Sequence, residues 1–239
     1  MISFIIPTLN EEKIIGKTLL GLKKYSGGSE IIVSDGKSTD KTVEIAKKYA
    51  NQIALYQGEA RQTIAAGRNA GAILARGEYL VFMDADLSIL DPDVFFSKAL
   101  KIFNSDKNIT GLTVRIRVFP VLETLADRIV FLVMDYVHFT LNNIFKIGAA
   151  AGEFQMVRYS AFKKVGGYDE NLVAGEDHEF FQRLSKIGKT RMERSLTVYH
   201  TGRRAHKIGW LKLLSIWLGN ALSFLFRKKS MSKVWTEIR

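Results

Sequence analysis

The chain of 239 residues is long enough for one α/β domain of ordinary size, or one domain with an appendage, and its 47% hydrophobic content can fill a large core. It contains no cysteine, which excludes disulfides, thiolate metal sites and cysteine nucleophiles. The net charge of +11 is uneven: residues 203–239 carry nine Lys or Arg against one acid, Glu237, and so hold eight of the eleven charges. A basic segment of this kind suits either nucleic acid or an anionic membrane surface. The start, Met1-Ile2-Ser3-Phe4, enters a strand pattern directly and lacks the basic and apolar regions of a signal peptide, so the expected location is the cytoplasmic side.

The apolar run from Ile2 to Thr8 predicts a first parallel strand closed by Pro7, whose missing N–H suits a strand end. Asn10 is placed to cap the next helix, with Glu11 and Glu12 in its first turn and Ile14, Ile15, Leu19, Leu20 and Leu22 along it. Glu30 to Gly36 predicts a second strand whose end presents Asp35, and Ser38-Thr39-Asp40 opens a helix running to Ala50. Gln52 to Gln57 reads as a short strand, and Arg61 to Arg76 as an Ala/Gly-rich helix suited to close packing on a sheet or close approach to a nucleotide. Tyr79 to Met83 is a short apolar run that fits a strand buried on both faces. This alternation predicts a mostly parallel sheet flanked by helices.

Beyond it, Pro92 to Phe103 predicts a helix and Asn108 to Val118 a strand with Arg115 and Arg117 on one face. Residues 121–147 read as an inserted apolar segment in which Arg128, Asp135 and Asn142 recur every seven residues, with His138 nearby. On a helix these form a narrow polar stripe beside a wide apolar face, consistent with either a core helix or one lying in a membrane interface. Charges interrupt the roughly 20 apolar residues that a span requires. Gly152 to Val157 predicts a strand, Lys164 to Glu170 a turn, His178 to Ile187 an amphipathic helix and Thr197 to His200 a last strand. Trp210 to Phe226 is apolar with a stripe of Lys212, Ser215, Gly219 and Ser223, and has basic clusters at both ends. That arrangement favours a helix lying flat on an anionic leaflet over a span or a nucleic-acid binder.

The chemistry concentrates at Asp84-Ala85-Asp86, where the Tyr79–Met83 strand ends. Open α/β sheets hold ligands at the carboxyl ends of their strands. Two carboxylates so close repel each other unless a cation sits between them, and a hard ion such as Mg²⁺ or Mn²⁺, shared with a phosphate, fits that demand. The same acids would equally serve as a helix cap before Leu87–Leu90.

In chain order, Pro7-Thr8-Leu9-Asn10-Glu11, Ser34-Asp35-Gly36 with Ser38-Thr39-Asp40-Lys41-Thr42, Gly67-Arg68-Asn69-Ala70-Gly71, Asp84-Ala85-Asp86, Gly166-Gly167-Tyr168-Asp169-Glu170, and Glu176-Asp177 with Arg183-Leu184 resemble the family 2 glycosyltransferases, an inverting family with the GT-A fold. The resemblance covers about residues 1–200 and extends to dolichol-phosphate mannose synthases and lipid-linked-glycan mannosyl- and glucosyltransferases. It departs at Ser34-Asp35, where the family usually has two aspartates, and at Lys37, where the family often goes directly to Ser. Leu184 after Gln182-Arg183 replaces the Trp of processive synthases.

The resemblance implies a GT-A domain over residues 1–204, and the charge and apolar pattern of residues 205–239 imply a basic, apolar membrane-associating helix. It assigns the nucleotide-sugar to Pro7, Thr8, Asn10, Glu11, Asp35, Arg68, Asp84, Ala85, Arg183, Arg203 and Arg204. It assigns Mn²⁺ or Mg²⁺ to Asp86, with Asp84 and His200 as further ligands, and the general base to Asp177, with Glu176 as its neighbour or substitute. The expected reaction moves a hexose, mannose or glucose, from a GDP- or UDP-sugar to polyprenyl-phosphate or a lipid-linked glycan at the cytoplasmic face of the membrane. The alternatives are a sugar-nucleotide nucleotidylyltransferase, which would carry a Gly- and Arg-rich loop after the first strand, and a membrane-tethered nucleotide-sugar-binding protein without activity.

Overall fold

The computed structural model describes residues 1–227 and 229–232. Among them, β1 (Ile2–Thr8), β2 (Ser29–Asp35), β3 (Gln52–Leu55), β4 (Tyr79–Met83), β5 (Ile109–Val118), β6 (Phe154–Arg158) and β7 (Lys189–His200) form one sheet in the order β3-β2-β1-β4-β6-β5-β7. Its pairs are parallel except at β6, which runs antiparallel to both β4 and β5. The expected mostly parallel sheet is therefore present.

Alternate residues of the central strands feed two cores, as the two-residue period of a strand requires. Phe4, Ile6, Val81 and Met83 face α1 (Ile15–Leu22) and α4 (Pro92–Ser105), while Ile5, Leu80 and Phe82 face α3 (Ile64–Ile73) and α7 (Glu176–Ile187). Gly71 lets α3 lie close to β1, since a Cβ there would come within 2.5 Å of Ile5 Cγ2. Thr63 caps α3 by accepting from the Ala66 amide, and Asp91 caps α4 with Pro92 in its first turn.

Several local expectations change. Asn10 does not cap α1, which begins at Ile15 without a side-chain cap. Asn10 instead takes a positive φ of 55° and accepts from the Thr39 amide at 2.9 Å, tying the first loop to the second. The second helix, α2 (Thr42–Lys47), starts later than Ser38, because Asp40 accepts from the Thr42 amide and hydroxyl in a local turn. The strand expected at 197–200 begins at Lys189, and the segments 159–165 and 203–208 form two short helices, α6 (Tyr159–Val165) and α8 (Arg203–Ile208). The boundary expected at residue 204 falls inside α8.

The apolar segment at 121–147 contains α5 (Leu125–Phe139) followed by a π-helical turn at Thr140–Ile144. It is not a core helix. Its polar residues Asp127, Asp135, His138 and Asn142 are buried against the protein, while Leu125, Ile129, Leu132, Val133, Tyr136 and Val137 are exposed. Arg115 holds Asp135 at 2.7 Å, and Asn142 donates to the carbonyls of His138 and Ala149. A second outward apolar face runs along α9 (Trp210–Arg227) through Leu211, Leu214, Leu218, Leu222 and Phe226. No helix among the described residues is long and apolar enough to cross a membrane.

His138 lines a small gap with Val114, Ile116, Phe131 and Met134, and its burial, with His178 alongside, lowers its pKa from 6.5 to about 3. A histidine depressed in the folded state gives stability that is complete above its unfolded pKa and is lost as pH falls from about 6.5 towards about 3. His138→Leu should therefore flatten the acid limb of the unfolding curve, read by circular dichroism against pH. An unchanged acid limb would show that charging this imidazole does not drive acid unfolding.

Candidate functional site

The carboxyl end of β4 turns sharply at Asp84-Ala85-Asp86-Leu87, where the Leu87 amide donates to Asp84 O at 3.3 Å. Thr18 of α1 fixes this turn by donating to Ala85 O at 2.6 Å, so Ala85 is a buried support of the loop. On the α3 side, Arg68 is buried and reaches in beneath the turn. Its Nη1 donates to Glu176 Oε1 and its Nη2 to Gly152 O, both at 2.8 Å, and Nη2 lies 3.9 Å from Asp84 Oδ1. The guanidinium also sits over the Tyr168 ring, 5.2 Å from its centroid.

Glu176 and Asp177 open α7. Asp177 Oδ1 accepts from the His178 amide at 2.8 Å, and its Oδ2 faces Gly152, where an added Cβ would lie 3.1 Å away. Gly152 thus keeps open the space between Asp177 and Arg68. The next residue, Glu153, is one the sequence reading did not single out. Its carbonyl accepts from the Asp84 amide at 3.1 Å, which sets Glu153 beside Asp84 across the antiparallel β4–β6 ladder.

Crowded anions in a half-enclosed crevice resist ionisation. Burial first, then the neighbouring acids, push Asp84, Glu153 and Glu176 each up to about 7, with Arg68 acting in the opposite sense on all three. Burial works against the charge on Arg68, but Tyr168 and the acids Glu176, Asp84 and Asp177 more than offset it and hold the guanidinium protonated.

A second arginine closes the other side. Arg203, at the start of α8, grips Glu11 with two hydrogen bonds of 2.7 Å and lies 3.5 Å from Asp86 Oδ2. Thr201 donates to the same Asp86 oxygen. Burial opposes the charge of Arg203, yet Glu11 and Asp86 hold its pKa above the ordinary value. His200, at the end of β7, is stacked edge-on against Phe131, and burial lowers its pKa while Asp86 and Asp127 pull the other way. Its Nε2 is buried without a hydrogen-bond partner.

Among the described residues no three His, Asp or Glu side chains converge as a ready-made metal cage. The expected metal trio is thus not gathered, since Asp84 faces Arg68 and Asp86 faces Thr201 and Arg203. What the chain offers is a carboxylate, Asp86, and an orphaned imidazole nitrogen on His200. That donor set fits a hard divalent ion that takes its remaining ligands from a diphosphate and water, since such ions use one or two carboxylates together with substrate phosphates.

The nucleotide-side residues are also brought to the strand ends. Thr8, next to Pro7, donates to Asp35 Oδ2 at 3.0 Å. Ser38 donates to that oxygen as well, while the Lys37 and Ser38 amides donate to Asp35 Oδ1. Asp35 therefore organises the loop floor with its acceptor sites filled, in place of presenting a bare carboxylate. Arg183 is not drawn into this crevice through any hydrogen bond. It holds Glu179 with Nε and Nη2 and the Val165 carbonyl with Nη1, joining α7 to α6. Arg204 follows Arg203 in α8. Asn69 clamps the loop after α6 by exchanging hydrogen bonds with the Tyr168 backbone at 2.9 Å, close to Gly167.

The sequence profile described as "Glycosyl transferase family 2" matches residues 3–166. The chain belongs to that family. Membership of glycosyl transferase family 2 removes the nucleotidylyltransferase alternative. Among curated relatives, the PGL/p-HBAD biosynthesis glycosyltransferase of Mycobacterium tuberculosis is 33% identical over 97 residues, 39% of this chain and 38% of that protein. The succinoglycan biosynthesis protein ExoA of Rhizobium meliloti is 29% identical over 196 residues, 77% of this chain and 58% of that protein. The chain thus spans well under two thirds of the length of these relatives. Among solved structures, a mannosyltransferase from Pyrobaculum calidifontis in complex with GDP-Man and Mn²⁺ superimposes with a TM-score of 0.72 at 18% identity, covering 95% of this chain and 63% of that one. Staphylococcus aureus TarS in complex with UDP-GlcNAc does so with a TM-score of 0.61 at 22% identity, covering 83% and 57%. These likenesses establish the GT-A fold of the family 2 chain.

Proposed function

We propose that this protein is a membrane-associated inverting glycosyltransferase that moves a hexose from a GDP- or UDP-sugar to a polyprenyl-linked acceptor. The observation that carries this reading is the convergence of Asp84, Asp86, Glu153, Glu176 and Asp177, with Arg68 and Arg203, at the carboxyl end of β4. Five acids against two arginines leave an anionic crevice suited to a cation and the diphosphate it accompanies. Donors of both nucleotide types occur in fold neighbours, as GDP-Man with Mn²⁺ in the mannosyltransferase and UDP-GlcNAc in TarS.

Asp86 and His200 would hold Mn²⁺ or Mg²⁺. Bound there, the ion neutralises charge on the departing nucleoside diphosphate as a Lewis acid. Arg203, freed from Glu11 by donor entry, supplies a second positive group for phosphate oxygens. Asp177 is the general base: its Oδ2 opens onto the crevice across Gly152, and it takes the proton of the acceptor hydroxyl. Attack from the Asp177 side with departure on the Asp86 side is a single displacement, which inverts the anomeric carbon. Arg68 and Glu176 position this base from beneath.

The lipid acceptor and the membrane are supported by the two outward apolar faces of α5 and α9 and by the basic residues Arg204, Lys207, Arg227 and Lys229 near them. Such helices lie in an interface by burying the apolar face while cations meet anionic headgroups. The reading sets the protein at the cytoplasmic face of the membrane.

The test is nucleotide release from GDP- and UDP-sugars with Mn²⁺ or Mg²⁺ and polyprenyl-phosphate in anionic vesicles. Turnover of one donor that requires the metal and the lipid, and is lost in Asp86→Ala, is the expected result. Donor binding without turnover on any polyprenyl acceptor would overturn the acceptor assignment. Failure to bind any nucleotide would overturn the transferase reading.

A further inference from the structure

Each acid of the crevice but one has a partner elsewhere in the protein. Asp84 faces Arg68, Asp86 is held by Thr201 and Arg203, Glu176 by Arg68, and Asp177 by the His178 amide. The exception is Glu153, whose carboxyl interacts with its own backbone amide and makes no side-chain hydrogen bond or ion pair to another described residue. Glu153 is only partly buried, so its carboxyl is open to a ligand entering the crevice.

The strand register says where that carboxyl points. Met83 pairs with Phe154 and Phe82 with Gln155 in the antiparallel β4–β6 ladder, so Asp84 and Glu153 are cross-strand neighbours with side chains on one face. It is the face of Phe82 and Gln155, covered by α3 and α7, which bring Arg68, Glu176 and Asp177. Glu153 therefore lies between the Asp84–Asp86 turn, where the diphosphate leaves, and Asp177, where the acceptor is deprotonated. The group that occupies the space between a leaving diphosphate and an acceptor hydroxyl is the transferred sugar.

Resting on the glycosyltransferase reading above, we propose that Glu153 binds ring hydroxyls of the transferred hexose and so sets which sugar the protein accepts. A carboxyl group offers the chemistry such hydroxyls need, because each hydroxyl both donates and accepts. Specificity follows from the same geometry. A site that hydrogen-bonds a particular hydroxyl leaves a buried carboxyl unpaired when the sugar lacks it, which discriminates far better than apolar contact does. Glu153 here is a sugar-binding residue, separate from the base Asp177 and the metal-side Asp86.

Calorimetric titration of the full chain with Mn²⁺ tests this, using GDP, UDP, their mannose, glucose and N-acetylglucosamine donors, and deoxy analogues of the donor that binds. Glu153→Gln should weaken the intact sugar donor about tenfold beyond any change in nucleoside diphosphate affinity, the size of one lost hydrogen bond. One deoxy donor should bind wild type as weakly as the intact donor binds Glu153→Gln, and should lose nothing further in that variant. Retained diphosphate binding also shows that the variant is folded. Equal losses for diphosphate and sugar donor, or no loss for either, would overturn the assignment of Glu153 alone. A wild type that binds no nucleotide would overturn the transferase reading instead.

Discussion

Asp177→Asn is expected to lower kcat by about 10²–10⁴-fold, the usual contribution of a positioned general base, while the KM for the sugar donor stays close to wild type. Asparagine keeps the volume and still accepts from the His178 amide, so the start of α7 and the Arg68–Glu176 pair beneath it remain in place. What the variant loses is the ability to take a proton on the oxygen that faces the acceptor across Gly152. The kinetic split matters, because a defect in both constants would mean that Asp177 binds the donor, whereas a defect in kcat alone identifies a group used in the transition state. A second consequence follows from charge. Asp177 raises the pKa values of Glu153 and Glu176, so neutralising it should move the residual pH profile towards acid. Wild-type kcat in Asp177→Asn would falsify the base assignment and leave Glu176 as the remaining acid on this helix end.

Arg68→Met should destabilise the protein by about 3–5 kcal/mol, because removing one member of a buried pair strands the charge of the other. Arg68 is the largest fully buried side chain among the described residues, and it supports Glu176, the Gly152 carbonyl and the field around Asp84 at once. The loss has a defined pH dependence. Glu176 already has its folded pKa raised from 4.5 to about 7, and without the arginine it rises further. For an acid raised in the folded state, stability is complete below the unfolded pKa and is lost as pH rises through the folded one. The Arg68→Met defect should therefore be largest at alkaline pH and shrink below neutrality, as measured by urea unfolding at several pH values. Adding Glu176→Gln removes the stranded charge and should recover most of the loss, a coupling that a double-mutant cycle reads directly. A defect of the same size at every pH, unrelieved by Glu176→Gln, would mean that Arg68 acts through packing alone.

The central sheet was legible because β1, β2 and β4 are buried on both faces and therefore read as unbroken apolar runs, each ending in polar residues. The same rule placed Asp35 and Asp84 at ligand-facing strand ends. It failed at the sheet edge, where residues 189–196 alternate buried Thr190 and Met192 with exposed charges and so carry a weaker apolar signal. Glu153 escaped for a topological reason. In a parallel sheet functional residues follow strands, but β6 runs backwards, so the residue that precedes it arrives at the same crevice. Nothing local in Gly152-Glu153-Phe154 announces that reversal. Arg183 and Asn10 misled in a different way, since their partners, the Val165 carbonyl and the Thr39 amide, belong to segments that only the folded chain brings near. The polar stripe of α5 was found, but a sequence pattern does not say which side of a helix meets the protein, and here the polar side does.

All three tryptophans lie in the last thirty residues, at 210, 217 and 235. The indole of Trp210 donates to Asp127 at 2.7 Å, on the same buried carboxylate that meets the imidazole of His206, and its ring packs edge-on against Phe131 and Trp217. Intrinsic tryptophan emission in this protein thus reports chiefly on the C-terminal segment and on its attachment, through Trp210, to the start of α5 and the core beside it. Far-ultraviolet dichroism reads every helix and strand together. Thermal melts followed by the two signals will coincide if the segment comes off only when the sheet unfolds, and will part if it detaches first, so the cooperativity of the whole chain can be measured without any added label.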